Sequence, residues 1–182
     1  MIFQETELQG VFLINIEKKQ DERGFFARSW CASEFTERNL DSKLVQSNIS
    51  HNSKKGTIRG LHYQSSPFEE SKLVSCTKGE LFDVVVDIRP DSPTFCKWIS
   101  VVLSSSEYNM IYIPGGYAHG FQTLEDNTDV FYQMSEFFFP ECSRGYRWND
   151  PAFGIKWPLP CSIISDRDKS YNKIIVEGEI DI

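Results

Sequence analysis

The chain has 182 residues, 40% of them hydrophobic and 25% charged, which is the composition of an ordinary globular protein. This length suits one well-filled core, so we expect a single domain over residues 1–182. The formal net charge of -7 argues against a nucleic-acid partner, because binding phosphate requires a basic surface.

The N-terminal segment lacks the basic and apolar regions of a signal peptide, and no apolar run is long enough to cross a membrane. The five cysteines are scattered without a C-x-x-C pair, which favours reduced thiols over disulfides or a zinc site. We therefore expect a cytoplasmic protein with no membrane partner.

The first predicted element is a short helix. Ser33 can cap the segment 34–40, in which Phe35 and Leu40 are the apolar contacts. After it, alternating or apolar patterns predict strands at 57–64, 72–77, 80–88, 98–103, 110–113 and 128–137. Many short strands separated by turns indicate a sandwich or barrel. A jelly roll is the natural choice at this size, although the pattern alone leaves other β-barrels open.

Two of these strands carry polar residues that need an explanation. In 80–88, alternation gives one plain core face, while the other face combines Leu81 and Val85 with the carboxylates Asp83 and Asp87. Two carboxylates are unexpected if that side is also core. In 57–64, alternation places His62 on the face opposite to Arg59, Leu61 and Tyr63.

The chain has three histidines. His62 lies in a predicted strand, where a lone histidine is more often structural than catalytic, and His51 is interpreted as a solvated loop residue. His119 lies between small residues after a Pro-Gly-Gly turn, where glycines allow a close approach of backbone or ligand. A β-barrel metal site favours His-x-His on one strand, but here Gln64 takes the second position and is a poor ligand. We expect neither a metal nor another cofactor.

A series of short motifs runs between residues 21 and 168. They are DERGFF at 21–26, QSNIS at 46–50, KGTIRGLHYQ at 55–64, FDVVVDIR at 82–89, SPTF at 92–95, IPGGYAHGF at 113–121, WNDP at 148–151, WP at 157–158 and SDRD at 165–168. In this order they resemble the motifs of the dTDP-4-dehydrorhamnose 3,5-epimerase family. The resemblance implies an all-β, cupin-type jelly-roll barrel with a few short helices. It also implies a homodimer that epimerises C3, C5 or both carbons of a nucleotide-linked 4-keto-6-deoxyhexose in deoxysugar and polysaccharide synthesis.

The resemblance also assigns catalytic roles by position. His62 is similar to the family's general base, and its orienting carboxylate maps to Asp168, with Asp166 as the competing candidate. Lys72 is similar to the lysine that stabilises the enolate, and Tyr132 to the tyrosine that acts as acid on the opposite face. The substrate-binding positions that it implies are Arg23, Phe26, Arg28, Gln46, Asn48, Arg59, His119, Phe137 and Arg167.

These residue types fit the chemistry. A ketone at C4 acidifies the hydrogens on C3 and C5, and a histidine held by a carboxylate can remove one of them. An ammonium aimed at the ketone oxygen stabilises the enolate, a phenol can return a proton from the other face, and arginines grip a diphosphate.

The chain departs from the family at two places. Arg28 stands where the family has a glutamate near the base, which suggests CDP instead of dTDP because arginine only donates hydrogen bonds. The alternative is that Arg28 pairs with a local acid such as Glu34. Phe137 and Phe138 stand where the family has tyrosines, which retains a stacking surface without the hydroxyl groups.

Two other functions remain open at this point. One is a metal-dependent cupin oxygenase or isomerase, and the other is a sugar-nucleotide-binding homologue without activity. The presence of every acid–base group argues against the second.

Overall fold

A computed structural model describes residues 1–175. Its elements in this range are β1 (Ile2–Glu5), β2 (Phe12–Asn15), β3 (Lys19–Asp21), β4 (Gly24–Phe26), α1 (Ala32–Thr36), β5 (Gln46–Asn52), β6 (Ile58–Gln64), β7 (Lys72–Lys78), β8 (Glu80–Asp87), β9 (Trp98–Ser104), β10 (Met110–Ile113), β11 (Tyr117–Thr123), β12 (Thr128–Met134), a 3-10 turn (Pro140–Cys142), β13 (Ser143–Gly145) and α2 (Asp166–Ser170). No helix in the described part of the chain is both long and apolar enough to span a membrane.

Two antiparallel sheets face each other. One has the strand order β1-β2-β10-β7-β12-β5 and the other β13-β6-β11-β8-β9, while β3 and β4 form a separate hairpin. Side chains from both sheets enclose the main core, including Val74, Leu81, Val85, Ile111 and Val130. The predicted all-β, cupin-type jelly roll with short helices is confirmed.

Strand β8 is buried on both faces, so the side that carries its two carboxylates is core as well. Val84 and Val86 pack in a second cluster, on the outside of the five-stranded sheet, with Leu61 and Phe153. Asp83 and Asp87 are on the inner face and have no exposed surface. Asp87 accepts hydrogen bonds from Arg89, Ser92 and Thr94, which offsets the cost of burying its charge. Asp83 pairs through Oδ2 with His119, and its buried Oδ1 has no hydrogen-bonding partner within residues 1–175.

The predicted helix is shorter and begins earlier than expected. Helix α1 is Ala32–Thr36, its N-cap is Cys31, and Ser33 lies inside the helix instead of capping it. Asn39 has a φ of 57°, a left-handed conformation that prevents the helix from continuing to Leu40. Phe35 and Leu40 were correctly predicted as the apolar contacts, since both belong to a cluster on the outer face of the six-stranded sheet, where Phe35 is 1% exposed.

Strand β6 contains one more residue than the matching stretch of β11. His62 pairs with His119 and Arg59 pairs with Phe121, so three steps along β6 match two along β11. Gly60 and Gly120 allow this, because a Cβ on Gly60 would lie 2.6 Å from the Cα of Gly120. The predicted alternation is therefore wrong: Arg59 and His62 are on the same, inward-facing side of the sheet.

The remaining strand predictions differ mainly at their ends. The predicted strand 128–137 ends at Met134, and the other predicted ends are within one residue of the observed ones. The predictions did not include β1 to β5, β11 or β13. His51, expected in a loop, lies in β5, and its Nδ1 is 2.6 Å from Oδ1 of Asp129.

Candidate active site

A cleft of about 450 Å³ opens between the two sheets, at the end of the barrel where β5, β6, β7 and β12 meet helix α2. Its lining includes six of the residues named from the sequence: Gln46, Asn48, His62, Lys72, Tyr132 and Arg167. The fold thus brings the predicted base, acid and ammonium to one place, although they come from three different strands.

His62 is held by a buried carboxylate. Its Nε2 lies 2.8 Å from Oδ1 of Asp168, which is 4% exposed, and Oδ2 of Asp168 accepts the Gly60 N–H at 3.1 Å. Ser165 caps α2 by accepting the Asp168 N–H, which fixes the position of the carboxylate. Nδ1 of His62 makes no hydrogen bond within residues 1–175, so it is the ring nitrogen able to accept a proton.

Asp168 is ionised in this arrangement. Burial opposes ionisation, but the hydrogen bond and charge of His62, together with the Gly60 N–H, outweigh it and hold the pKa of Asp168 below its ordinary value. The competing candidate, Asp166, has a fully exposed side chain and pairs with Lys169 at 3.1 Å. The geometry therefore favours Asp168 over Asp166 as the partner of His62.

An aromatic residue that the sequence reasoning missed also fixes His62. The ring of Tyr171 meets the imidazole edge to face, with centroids 5.9 Å apart. The sequence could have indicated Tyr171 through its position three residues after Asp168, because the segment that supplies the carboxylate also supplies the aromatic ring.

Lys72 and Tyr132 lie on neighbouring strands and both face inward. Tyr132 is directly across from Asn48 on β5 and from Val74 on β7. Nζ of Lys72 lies 2.6 Å from Oε1 of Glu70, a cleft residue that was not predicted. Burial raises the pKa of Tyr132; Arg59 lowers this pKa and Glu70 raises it further, and the net shift is upward. The phenol is therefore protonated at neutral pH and able to act as an acid.

Three predicted binding residues have fixed positions near the base. Arg59 donates from Nε to Oδ1 of Asn52 at 2.7 Å, and Arg167 donates to the Ser143 hydroxyl at 2.7 Å. His119 is 8% exposed, and its Nε2 lies 2.8 Å from Oδ2 of Asp83. His119 is thus a buried neighbour of His62 and is not part of the cleft lining.

Four other predicted binding residues lie outside this cleft. Arg23 pairs with Asp21, its own neighbour in the β3–β4 hairpin, and Phe26 is 74% exposed. Arg28 pairs with Glu34 at 2.9 Å. Phe137 is 55% exposed, and Phe138 is the phenylalanine that lines the cleft.

The hairpin lies over the opposite face of the six-stranded sheet. Phe25 packs against Tyr108 and lines a groove together with Leu73 and Phe131. Leu73 and Phe131 are the strand neighbours of the cleft residues Lys72 and Tyr132, so their side chains lie on the other face of the sheet. All catalytic and binding roles named from the sequence stay predictions, including those of Arg23, Phe26, Arg28 and Phe137.

Within residues 1–175, no group of three His, Cys, Asp or Glu side chains is placed to hold a metal ion. The side chains of His62 and His119 lie on the same face of paired strands, but His62 pairs with Asp168 and His119 pairs with Asp83.

Comparison with known proteins gives a consistent result. The family model described as dTDP-4-dehydrorhamnose 3,5-epimerase matches residues 5–175. The enzyme of that name from Sinorhizobium fredii is 42% identical over 171 residues, which cover 93% of this chain and 88% of the relative.

Solved structures agree with the sequence match. The dTDP-4-dehydrorhamnose 3,5-epimerase of Elizabethkingia anophelis superposes with a TM-score of 0.92 at 34% identity, covering 95% of this chain and 96% of that chain. The dTDP-6-deoxy-D-glucose-3,5-epimerase of Legionella pneumophila, in complex with dTDP-4-keto-L-rhamnose, gives 0.88 at 38% identity, with 94% and 92% covered. The chain belongs to the dTDP-4-dehydrorhamnose 3,5-epimerase family, a family of carbohydrate epimerases, as its ordered motifs predict.

Proposed function

We propose that the protein inverts C3 and C5 of a dTDP-linked 4-keto-6-deoxyhexose by removing and returning protons next to the ketone. The observation that carries this proposal is the joint placement of the His62–Asp168 pair, Lys72 and Tyr132 around one cleft. Membership of the family supports the same chemistry and does not favour a metal-dependent oxygenase or isomerase.

The first step is removal of a proton from carbon. The free nitrogen of His62 takes the hydrogen on the carbon next to the ketone, and the Asp168 carboxylate stabilises the imidazolium that forms. The electron pair moves onto the ketone oxygen, where the Lys72 ammonium stabilises the enolate.

The second step is protonation from the opposite face. Tyr132 gives its phenolic proton to the same carbon, which inverts the configuration and leaves a phenolate and an imidazolium. Exchange with water then restores both groups. Since C3 and C5 both flank C4, the same set of residues serves both carbons after the sugar rotates.

Arg59 and Arg167 are proposed to bind the diphosphate. Guanidinium groups suit this role because they pair with phosphate oxygens through two hydrogen bonds. Gln46 and Asn48, on the strand beside Tyr132, complete the lining.

The choice of nucleotide depends on Arg28. Its guanidinium pairs with Glu34, which also accepts a hydrogen bond from the terminal amine of Met1 at 3.0 Å. This pairing supports the local role for Arg28, so we propose dTDP as the natural nucleotide. Calorimetric titration with dTDP and CDP tests the choice, and tighter binding of CDP would reverse it.

We also propose a cytoplasmic homodimer. The groove between the hairpin and the six-stranded sheet is largely apolar, and Ile49 on the same face of that sheet is 72% exposed. A second copy of the chain would cover this apolar surface. Arg23 and Phe26 would then reach the cleft of the partner. The five cysteines are free thiols, as is usual in the cytoplasm. Light scattering measures the mass in solution, and a monomer at micromolar concentration would contradict the dimer.

The function is tested by incubating the protein in D2O with dTDP-4-keto-6-deoxyglucose and following C3 and C5 by NMR. We expect deuterium at both carbons and a product inverted at both. His62→Ala should abolish the exchange while nucleotide binding is retained, whereas His51→Ala, which changes a histidine outside the cleft, should exchange normally. Normal exchange by His62→Ala would refute the mechanism, and a protein that binds the nucleotide without any exchange would be an inactive homologue.

A further inference from the structure

Glu70 is an acidic residue inside the cleft that the reaction described above does not use. Its Oε1 lies 2.6 Å from Nζ of Lys72, and both side chains are 11% exposed. Ion pairs on open surfaces contribute little, but a pair this far removed from water is costly to break, because the remaining charge is left poorly solvated. Glu70 therefore sets where the Lys72 ammonium lies.

Glu70 is the one carboxylate among the described residues that line the cleft. The other charged or titratable groups there are His62 and Tyr63 on β6, Lys72 on β7, Tyr132 on β12 and Arg167 on α2. Arg59 also acts on the Tyr132 phenol, and it lowers the pKa of Tyr132 while Glu70 raises it. The negative charge of Glu70 thus acts on two members of the catalytic set.

Both effects matter for proton transfer next to a ketone. A lysine side chain has many rotamers, so an ammonium that must meet a developing oxyanion benefits from being fixed beforehand. A phenol that must donate a proton benefits from a nearby negative charge, because that charge disfavours the phenolate.

We propose that Glu70 is a positioning residue, which anchors the Lys72 ammonium for the ketone oxygen and places a negative charge beside the Tyr132 phenol. This inference rests on the proposed function. It adds a specific role for a residue that neither the motifs nor the cleft chemistry required.

The test compares Glu70→Gln with Glu69→Gln. Glu69 directly precedes Glu70, is exposed and does not line the cleft. Its replacement by glutamine therefore controls for the loss of one negative charge. We expect Glu70→Gln to lower kcat about tenfold with KM within about twofold, since the lost contact acts in the transition state. The alkaline limb of its kcat profile should move to lower pH, because the Tyr132 phenol loses the charge that keeps it protonated. Glu69→Gln should match the wild type in both respects.

A second measurement needs no substrate. Ultraviolet titration of the phenolate, with Tyr132→Phe used to identify the signal of Tyr132, should show a lower pKa for Tyr132 in Glu70→Gln and no change in Glu69→Gln. Thermal unfolding confirms that each variant is folded. An unshifted phenolate, or a kcat and pH profile equal to those of Glu69→Gln, would overturn the role of Glu70. A wild-type protein without exchange activity would instead overturn the proposed function.

Discussion

Replacing Asp168 with asparagine tests the central contact of the site with a change of almost no volume. Asp168 accepts two hydrogen bonds with different oxygens, from His62 and from the Gly60 N–H. Asparagine has one oxygen, so it can serve only one of these donors and must direct its amide group at the other.

Both orientations of the asparagine are harmful. If the oxygen serves Gly60, the amide donates to Nε2 of His62, and the neutral ring then carries its hydrogen on Nδ1, which can no longer accept a proton. If the oxygen serves His62, the buried Gly60 N–H faces another donor, at a cost of about 1–3 kcal/mol in stability. In either case the imidazolium loses a charge-assisted hydrogen bond of about 1.5–3 kcal/mol.

At 1.36 kcal/mol for each tenfold change in rate, the lost hydrogen bond corresponds to a decrease of about 10- to 150-fold. The assay is deuterium incorporation at C3 and C5, with nucleotide affinity measured in parallel. Asp166→Asn is the matched control, because it makes the same change two residues earlier on an exposed side chain. An Asp168→Asn variant that exchanges as fast as Asp166→Asn would refute the assignment of Asp168.

Three further predictions follow from individual contacts. Tyr132→Phe removes the proton donor on one face, so inversion should fall by about 100-fold or more while exchange from the other face continues; NMR separates the two, and an unchanged rate of inversion would exclude Tyr132 as the acid. Gly120→Ala places a Cβ 2.8 Å from the carbonyl oxygen of Arg59, so the free energy of unfolding in urea should fall by about 1–3 kcal/mol, and wild-type stability would contradict the close approach. Asp87 is buried, which opposes its ionisation, but hydrogen bonds from Arg89 and two hydroxyl groups hold its pKa well below the ordinary value of 3.8. Because the folded-state pKa is depressed, this stabilisation is complete above the unfolded-state pKa and is lost as the pH falls. Asp87→Asn should therefore unfold more easily at pH 7 and lose less additional stability on acidification, and parallel stability curves would contradict this.

The sequence predicted the fold class and six of the strands within residues 1–175, because those six have a regular pattern. The strands around residues 72–77, 98–103 and 110–113 have clear apolar or alternating patterns and lie within one residue of their predicted ends. The candidate catalytic residues were named for a different reason: the resemblance to the family assigns them by position, although the strands that carry them are distant in sequence.

Other features depend on contacts that no local pattern records. Asp83 lies on a core face because His119 on the next strand pairs with it, and nothing near Asp83 in sequence indicates that partner. The pairing of Glu70 with Lys72 depends on where the chain turns into β7. The predicted position of helix α1 was wrong, because the packing of Phe35 and the left-handed conformation of Asn39 outweigh the capping preference of Ser33.

The extra residue in β6 makes the orientation of its side chains depend on the position of the bulge as well as on the sequence. Regular alternation sends residues three apart to opposite sides of a sheet, and only the bulge between Arg59 and His62 lets both face inward. Removing Gly60 or Leu61 would leave the two residues two apart in an ordinary ladder with β11, which keeps both on the inward side. A bulge moved outside this pair at unchanged chain length would instead turn Arg59 or His62 away from the cleft, while every side chain of the site remained in the chain.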